Sequence, residues 1–318
     1  MALLLFSQSP ASAQNAPPAT LDDGGYPIHI YPTVANAAGH TIAADSGPLL
    51  YHSGGAVMVG PVTFYAIFWI PAHLQNGGAT TLSADYQNVQ KQLLSDYAAH
   101  GIDNNNTQYY QIIGGVQSFI QNKGGPGGLA VDNGAYPASG CSDSVTPGNC
   151  ITDAQIQAKI QAVMTAHGWT GGLNKIFLLF TSSGEGSCFD SSSASCAYTA
   201  YCAYHGVFFN GATPIVYANQ PFGDPNFCQV PGTPSPHSDA AADTASTAAS
   251  HEITEAITDP ELNAWFTAQG NEIGDLCAYN YGTNTWDANK ANQSWNGHFY
   301  EIQMEFDNHK SGCQQVGP

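Results

Sequence analysis

The sequence predicts a single disulfide-stapled α+β domain, with a mixed sheet around one central helix. Three observations carry this. Apolar runs of strand length mix with helical patterns but lack the regular alternation of a fully parallel fold. Eight cysteines make an even set. One Ala-rich stretch, from about Asp239 to Thr258, reads as a long helix that Asp259-Pro260 ends.

The elements follow in order. Met1-Ala-Leu-Leu-Leu-Phe6 and the small-residue site Ala11-Ser12-Ala13 read as a signal-peptide remnant over residues 1–13, which implies secretion. Residues 14–56 are rich in Ala, Pro, Gly, Asp and Ser without a sustained period, and are expected to form a flexible N-terminal arm or pro-segment. The domain proper is expected over 57–318. Val57 to Ile70 is a continuous apolar run, hence a buried strand. Ser83 caps a helix expected through His100, with Tyr86, Val89, Leu93 and Tyr97 on one face. Tyr109 to Gln121 reads as a strand or hairpin arm. Thr152-Asp-Ala-Gln155 is a capping box opening a helix that Gly168 stops. Lys175 to Phe180 is a core strand. Val207-Phe-Phe209 and Ile215-Val-Tyr217 flank the hairpin signal Asn210-Gly211. Phe299 to Phe306 is the last strand expected.

Charge narrows the partners. The 318 residues carry 24 Asp or Glu against six Lys or Arg. Such a surface repels nucleic acid and anionic membrane, and no apolar run is long enough to span a bilayer. Few cations also limit self-repulsion as carboxylates neutralise, which suits acidic surroundings. An exported chain uses its cysteines in disulfides. Cys141 and Cys150 flank a Ser/Asp/Pro/Gly loop and are expected to close it. The other pairings stay open, and the absence of any C-x-x-C pair argues against a four-cysteine zinc site.

The chemistry is expected on His251-Glu252-Ile253-Thr254-Glu255. On a helix, His251 and Glu255 share a face one turn apart and can reach one ion. Glu252 then approaches a metal-bound water as general base, as in the H-E-x-x-H helix of zinc peptidases, with Glu255 in place of the second histidine. Downstream, Asn271-Glu272-Ile273-Gly274-Asp275-Leu276-Cys277 supplies two more carboxylates. The interval resembles the third-ligand segment of thermolysin-like peptidases. Glu272 is the expected third ligand; Asp275 either replaces it or steadies a ligand. Cys277 would pin the segment.

Ser250 to Pro260, Ala264-Trp265, Glu272 to Cys277, Cys202-Ala-Tyr-His205 and the loop Asn219 to Cys228 together resemble the phosphate-induced protein 1, or Exordium-like, family over roughly Val57 to the C-terminus. The resemblance implies an extracellular protein, associated in plants with cell-wall growth. The chain departs from it in extra cysteines and in the long 141–150 loop.

The leading expectation is a secreted zincin-like metallopeptidase acting on peptides or proteins. His251, Glu255 and Glu272 or Asp275 hold Zn2+, with Ca2+ as the alternative ion, and Glu252 is catalytic. The rival is a non-catalytic extracellular protein that binds cell-wall polysaccharide and holds a structural ion. Its sugar-stacking surface would be Tyr279, Tyr281, Trp286, Trp295 and Tyr300. A third reading is a metal-free carboxyl hydrolase using Glu252 and Glu272. His205 reads more plainly as a structural histidine than as part of the site, and Asp259 as a cap for the helix end or the next turn.

Overall fold

The computed structural model describes residues 20–21, 25, 27–39, 45–283 and 285–318. The signal-peptide remnant lies outside them. A seven-stranded mixed sheet forms the centre: β1 (Thr20–Leu21), β2 (Pro27–Pro32), β3 (Val62–Trp69), β4 (Gly124–Asp132), β5 (Lys175–Thr181), β6 (Tyr201–Asn210) and β7 (Thr213–Gln220). Their order across the sheet is β1-β2-β6-β7-β5-β3-β4. The four strands β7, β5, β3 and β4 run parallel, and β6 runs antiparallel to both neighbours.

Helices cover both faces, which explains the continuous apolarity of the inner strands. Val62, Phe64, Ala66 and Phe68 of β3 enter one core with α1 (Ala84–Asp96) and α3 (Ala240–Thr258). Tyr65, Ile67 and Trp69 enter the other core with α2 (Asp153–His167). The links β3-α1-β4 and β4-α2-β5 are therefore crossovers between parallel strands, hidden in the sequence by long intervening loops. The capping box at Thr152 forms, and Gly168 ends α2 in the left-handed region at φ 68°. Ser83 Oγ accepts from Tyr86 N–H at 2.9 Å. Helix α1 stops at Asp96 rather than His100, because Ala99 adopts φ 68° and turns the chain. Within Tyr109 to Gln121, Tyr110–Ile113 and Val116–Phe119 form a two-stranded hairpin with a largely exposed tip, anchored by the buried Tyr109 and Ile120.

Three expectations need correction. Pro27–Pro32, inside the supposed arm, is an integral sheet strand, because its alternate residues Ile28 and Ile30 supply a strand period too short to stand out from its Pro- and Ala-rich flanks. Phe299 to Phe306 is two short strands, His298–Tyr300 and Glu305–Asp307, separated by an unpaired stretch. That stretch carries the buried Glu301 and Gln303 toward α3. The aromatic tail is mostly core: Tyr281 is 7% exposed, Trp295 2% and Tyr300 0%. Those three rings are not free to stack on sugar.

The cysteines pair as Cys141–Cys150, Cys188–Cys196, Cys202–Cys228 and Cys277–Cys313. No helix among the described residues is long and apolar enough to cross a membrane.

Candidate metal centre

Helix α3 holds the centre. Asp239 caps its start by accepting from Ala242 N–H at 3.1 Å. Every residue from Ala242 to Thr258 is buried, because β2, β6 and β7 pack on one side and the chain after Asp259 closes over the other. The Ala, Ser and Thr side chains permit this close approach. Asp259 ends the helix, and its Oδ1 accepts from Asn263 and Ala264 N–H at 2.6 and 2.7 Å, so it caps the next turn as expected.

The shared face of His251 and Glu255 is realised: His251 Nε2 lies 3.1 Å from Glu255 Oε1. The segment 272–275 crosses directly above, and only a glycine permits it. A Cβ at Gly274 would sit 2.5 Å from His251 Nδ1. Asp275 N–H donates to Glu255 Oε1 at 3.2 Å, and Glu272 N–H donates to Asp275 Oδ2 at 2.8 Å. All five residues expected from the sequence, His251, Glu252, Glu255, Glu272 and Asp275, thus lie in one buried cluster.

Two histidines join them that the sequence did not place there. His205 comes from β6, where Cys202–Cys228 braces the strand, and His29 comes from β2 directly opposite it. His205 Nδ1 lies 3.1 Å from Glu252 Oε2. An ionised carboxylate at Nδ1 would hold the ring proton there and leave Nε2 as a lone pair. Burial, with His29 and His251 nearby, pushes the His205 imidazole well below its usual range, so the ring is neutral. His29 Nε2 lies 2.6 Å from Asp275 Oδ2, and its Nδ1 lies 3.4 Å from Glu272 Oε1. Burial alone would lower His29, yet Asp275 and Glu255 outweigh it and hold it up to about 9. The signal for His29 was the period-two run Ile28-His29-Ile30-Tyr31. Nothing local marked Gln303, whose Nε2 lies 3.0 Å from His251 Nδ1 and donates to Gly274 O at 3.0 Å.

The expected ligands do not all share one point. Among the described residues, three triplets bring ligand atoms within 4.8 Å of one another: His29, Glu255 and Asp275; His205, Glu255 and Glu272; His251, Glu252 and Glu255. A sulfur-only group belongs to the disulfides. Glu255 joins all three triplets, but His251 and Glu272 enter different ones.

One triplet stands apart. His205 Nε2, Glu255 Oε2 and Glu272 Oε2 are each buried without a hydrogen-bond partner. His251 Nε2 makes no hydrogen bond of good geometry either, although Glu255 Oε1 lies 3.1 Å away. Burial, then the charges of Asp259, Glu255, Asp275 and Glu252, pushes the Glu272 carboxyl well above its ordinary range. Glu252 is pushed up too, by burial, Glu255 and Asp275. Uncompensated carboxylates of this kind are costly unless a cation or proton joins them. His205 Nε2 lies 3.8 Å from Glu272 Oε2 and His205 Nδ1 lies 3.6 Å from Glu255 Oε2, so the three side chains converge, and their nitrogen and oxygen atoms suit a divalent ion.

Access is the other property of the site. His205, His251, Glu252 and Glu255 are 0% exposed and Glu272 is 2%, while the His29 side chain, at 19%, is the part nearest solvent. Compared with known protein families, curated proteins and solved structures, the chain matches none.

Proposed function

We propose that this chain is an exported, zincin-like zinc protein of the Exordium-like kind, and that its centre is built to hydrolyse peptide bonds. The carrying observation is that each residue of one triplet keeps a buried atom without a hydrogen-bond partner: His205 its Nε2, Glu255 its Oε2 and Glu272 its Oε2. These three would hold the ion, with His251 beside Glu255 as the further donor. The imidazole nitrogens favour zinc over calcium, which takes oxygen ligands. A divalent cation there would polarise a substrate carbonyl and make water a better nucleophile. Glu252 is the residue placed to move a proton: its Oε1 lies 3.1 Å from a peptide nitrogen, that of Tyr31. Asp275, tied to His29 and to Glu272 N–H, positions the segment that brings Glu272 over the helix.

The complete burial of the cluster favours a second reading, in which the ion is structural and nothing is hydrolysed. Metal analysis and peptide assays of wild type, Glu252→Gln and His205→Ala separate the two. The expected result is about one zinc per chain in wild type and Glu252→Gln, none in His205→Ala, and hydrolysis lowered about 10²–10⁴-fold by Glu252→Gln. Zinc without hydrolysis, in wild type and in a chain whose N-terminal strand has been loosened, sinks the peptidase. Hydrolysis that survives zinc removal sinks the metal centre.

A further inference from the structure

Strand β2 covers the centre in a particular way. It lies antiparallel on β6, with Ala203 opposite Tyr31 and His205 opposite His29, and the register shifts between Tyr201 and Ala203. Beside this bulge, Tyr31 N–H donates to Glu252 Oε1 at 3.1 Å. The Tyr31 ring is fully buried, 4.4 Å from the His251 ring and 4.7 Å from the Tyr279 ring, centroid to centroid. Tyr279 OH donates to Pro32 O at 2.7 Å. On its outer side β2 meets only β1, paired at Pro27 and Ile28. Past Ile28 no strand covers that edge among the described residues.

Taking up an extended peptide as an added strand is a standard recognition mode: main-chain bonds supply affinity and alternate side chains supply specificity. We infer that β2 is a built-in occupant of the place where an extended peptide substrate adds to β6. The Ile30–Tyr31 bond stands where the bond to be cut would lie, and the slot between His251 and Tyr279 selects an aromatic residue on the amine side of that bond. The inference rests on the hydrolytic reading above and names its substrate class and its restraint.

The geometry fits the chemistry of the cut. In hydrolysis a water oxygen bonds to the carbonyl carbon and the C–N bond breaks. A proton from the water passes through Glu252 to the departing nitrogen, leaving a carboxylic acid and an amine. Glu252 already sits on the corresponding nitrogen of Tyr31. Its other oxygen is taken by His205, and both residues are shielded from solvent, so the resident strand is held without being a productive substrate. An incoming peptide must first displace β2 from His29 to Pro32.

Two measurements on the full chain test this. Hydrogen exchange should open the amides of β2 about tenfold or more faster than those of β3 and β5. Equal protection would mean a fixed structural strand and overturn the inference. In the second, a labelled hexapeptide with the β2 sequence Pro-Ile-His-Ile-Tyr-Pro is titrated into wild type and Tyr31→Ala. The variant should bind it about tenfold more tightly than wild type, and should bind the same peptide with Ala for Tyr about tenfold more weakly. Equal binding of the two peptides to the variant overturns the aromatic slot. Should Tyr31→Ala not fold, Tyr279→Phe replaces it: losing the hydroxyl bond to Pro32 should speed β2 exchange several-fold, and unchanged exchange counts against the inference. Neither readout requires turnover. Selective peptide binding without hydrolysis therefore fails the hydrolytic reading alone, whereas hydrolysis by a chain with a fully protected β2 fails this inference alone.

Discussion

Two buried carboxylate clusters, one at the end of α1 and one on α3, differ in how their oxygens are served. Asp96, the last residue of α1, is 4% exposed and fully served by donors. Its Oδ1 accepts from Asn296 Nδ2 at 2.9 Å, and its Oδ2 lies 2.6 Å from His298 Nδ1 and accepts from Tyr300 OH at 2.7 Å. Burial would raise Asp96, but these donors outweigh it and hold the carboxyl below its ordinary range. The centre on α3 does the reverse. Asp275 is served by His29 and Glu272 N–H, but Glu252, Glu255 and Glu272 gather around few donors, and Oε2 of both Glu255 and Glu272 has no hydrogen-bond partner. A carboxylate used as structural glue receives its hydrogen bonds from the protein. One that is to take an ion, as proposed for α3, would keep its lone pairs open.

Chelation should separate the two centres most strongly. If zinc is present at about a thousand times its Kd, removing it costs about 4 kcal/mol of stability. Calorimetry should show this as a fall in Tm, and Glu272→Gln should reproduce it while losing all response to chelator. Without zinc that variant should match the stripped wild type within about 0.5 kcal/mol, since burial already favours the neutral acid and an amide is nearly isosteric. A stripped wild type as stable as the loaded one would erase the contrast. A smaller, opposite pattern is expected at Asp96. Asp96→Ala should cost about 2–3 kcal/mol by stranding Asn296, His298 and Tyr300, with or without chelator and with zinc content unchanged. A chelator-dependent loss there would mean that the two centres are coupled through the C-terminal chain.

The satisfied and unsatisfied parts were unequally legible in the sequence. Periodicity and capping marked α2, the core strands β3 and β5, and the i, i+4 face of His251 and Glu255, because these depend on neighbours within a turn or a strand. The carboxylate segment 272–275 could be named as well. Its path over α3 turns on Gly274, whose missing Cβ matters only once His251 is beneath it. His29 escaped, and His205 was read as structural rather than as part of the site, for a related reason. Each is a lone histidine in a strand, and they face each other only because β2 pairs with β6 across most of the chain. Gln303 sits in the mixed apolar and polar run Phe299 to Phe306, which reads as one strand, and the break that turns it toward α3 is set by packing. The closed state of the centre is likewise a property of strand order.

The smallest predicted effect concerns a third buried carboxylate, Glu185, which burial dominates. Glu185, in the loop after β5, is fully buried and neither of its oxygens has a hydrogen-bond partner. Burial, offset only in part by the Gln75 backbone, holds it up to about 8, against an ordinary 4.5. In the unfolded chain it therefore ionises near 4.5, while in the fold it keeps its proton until near 8. Between these values the folded state binds more protons, so its contribution is complete below pH 4.5 and is lost as pH rises through 8. Asp103, held up to about 7, and Glu301, held up to about 8, act in the same direction, again mainly through burial. Glu185→Gln should thus be neutral at pH 4 and stabilising by about 1–2 kcal/mol at pH 8.5, read from denaturant midpoints. An equal effect at both pH values would mean that Glu185 is ionised throughout and paired in solution. The predicted slope gives the acid-leaning composition a local mechanism: few cations limit repulsion at the surface, while buried carboxyls that prefer their protons favour the fold in acid.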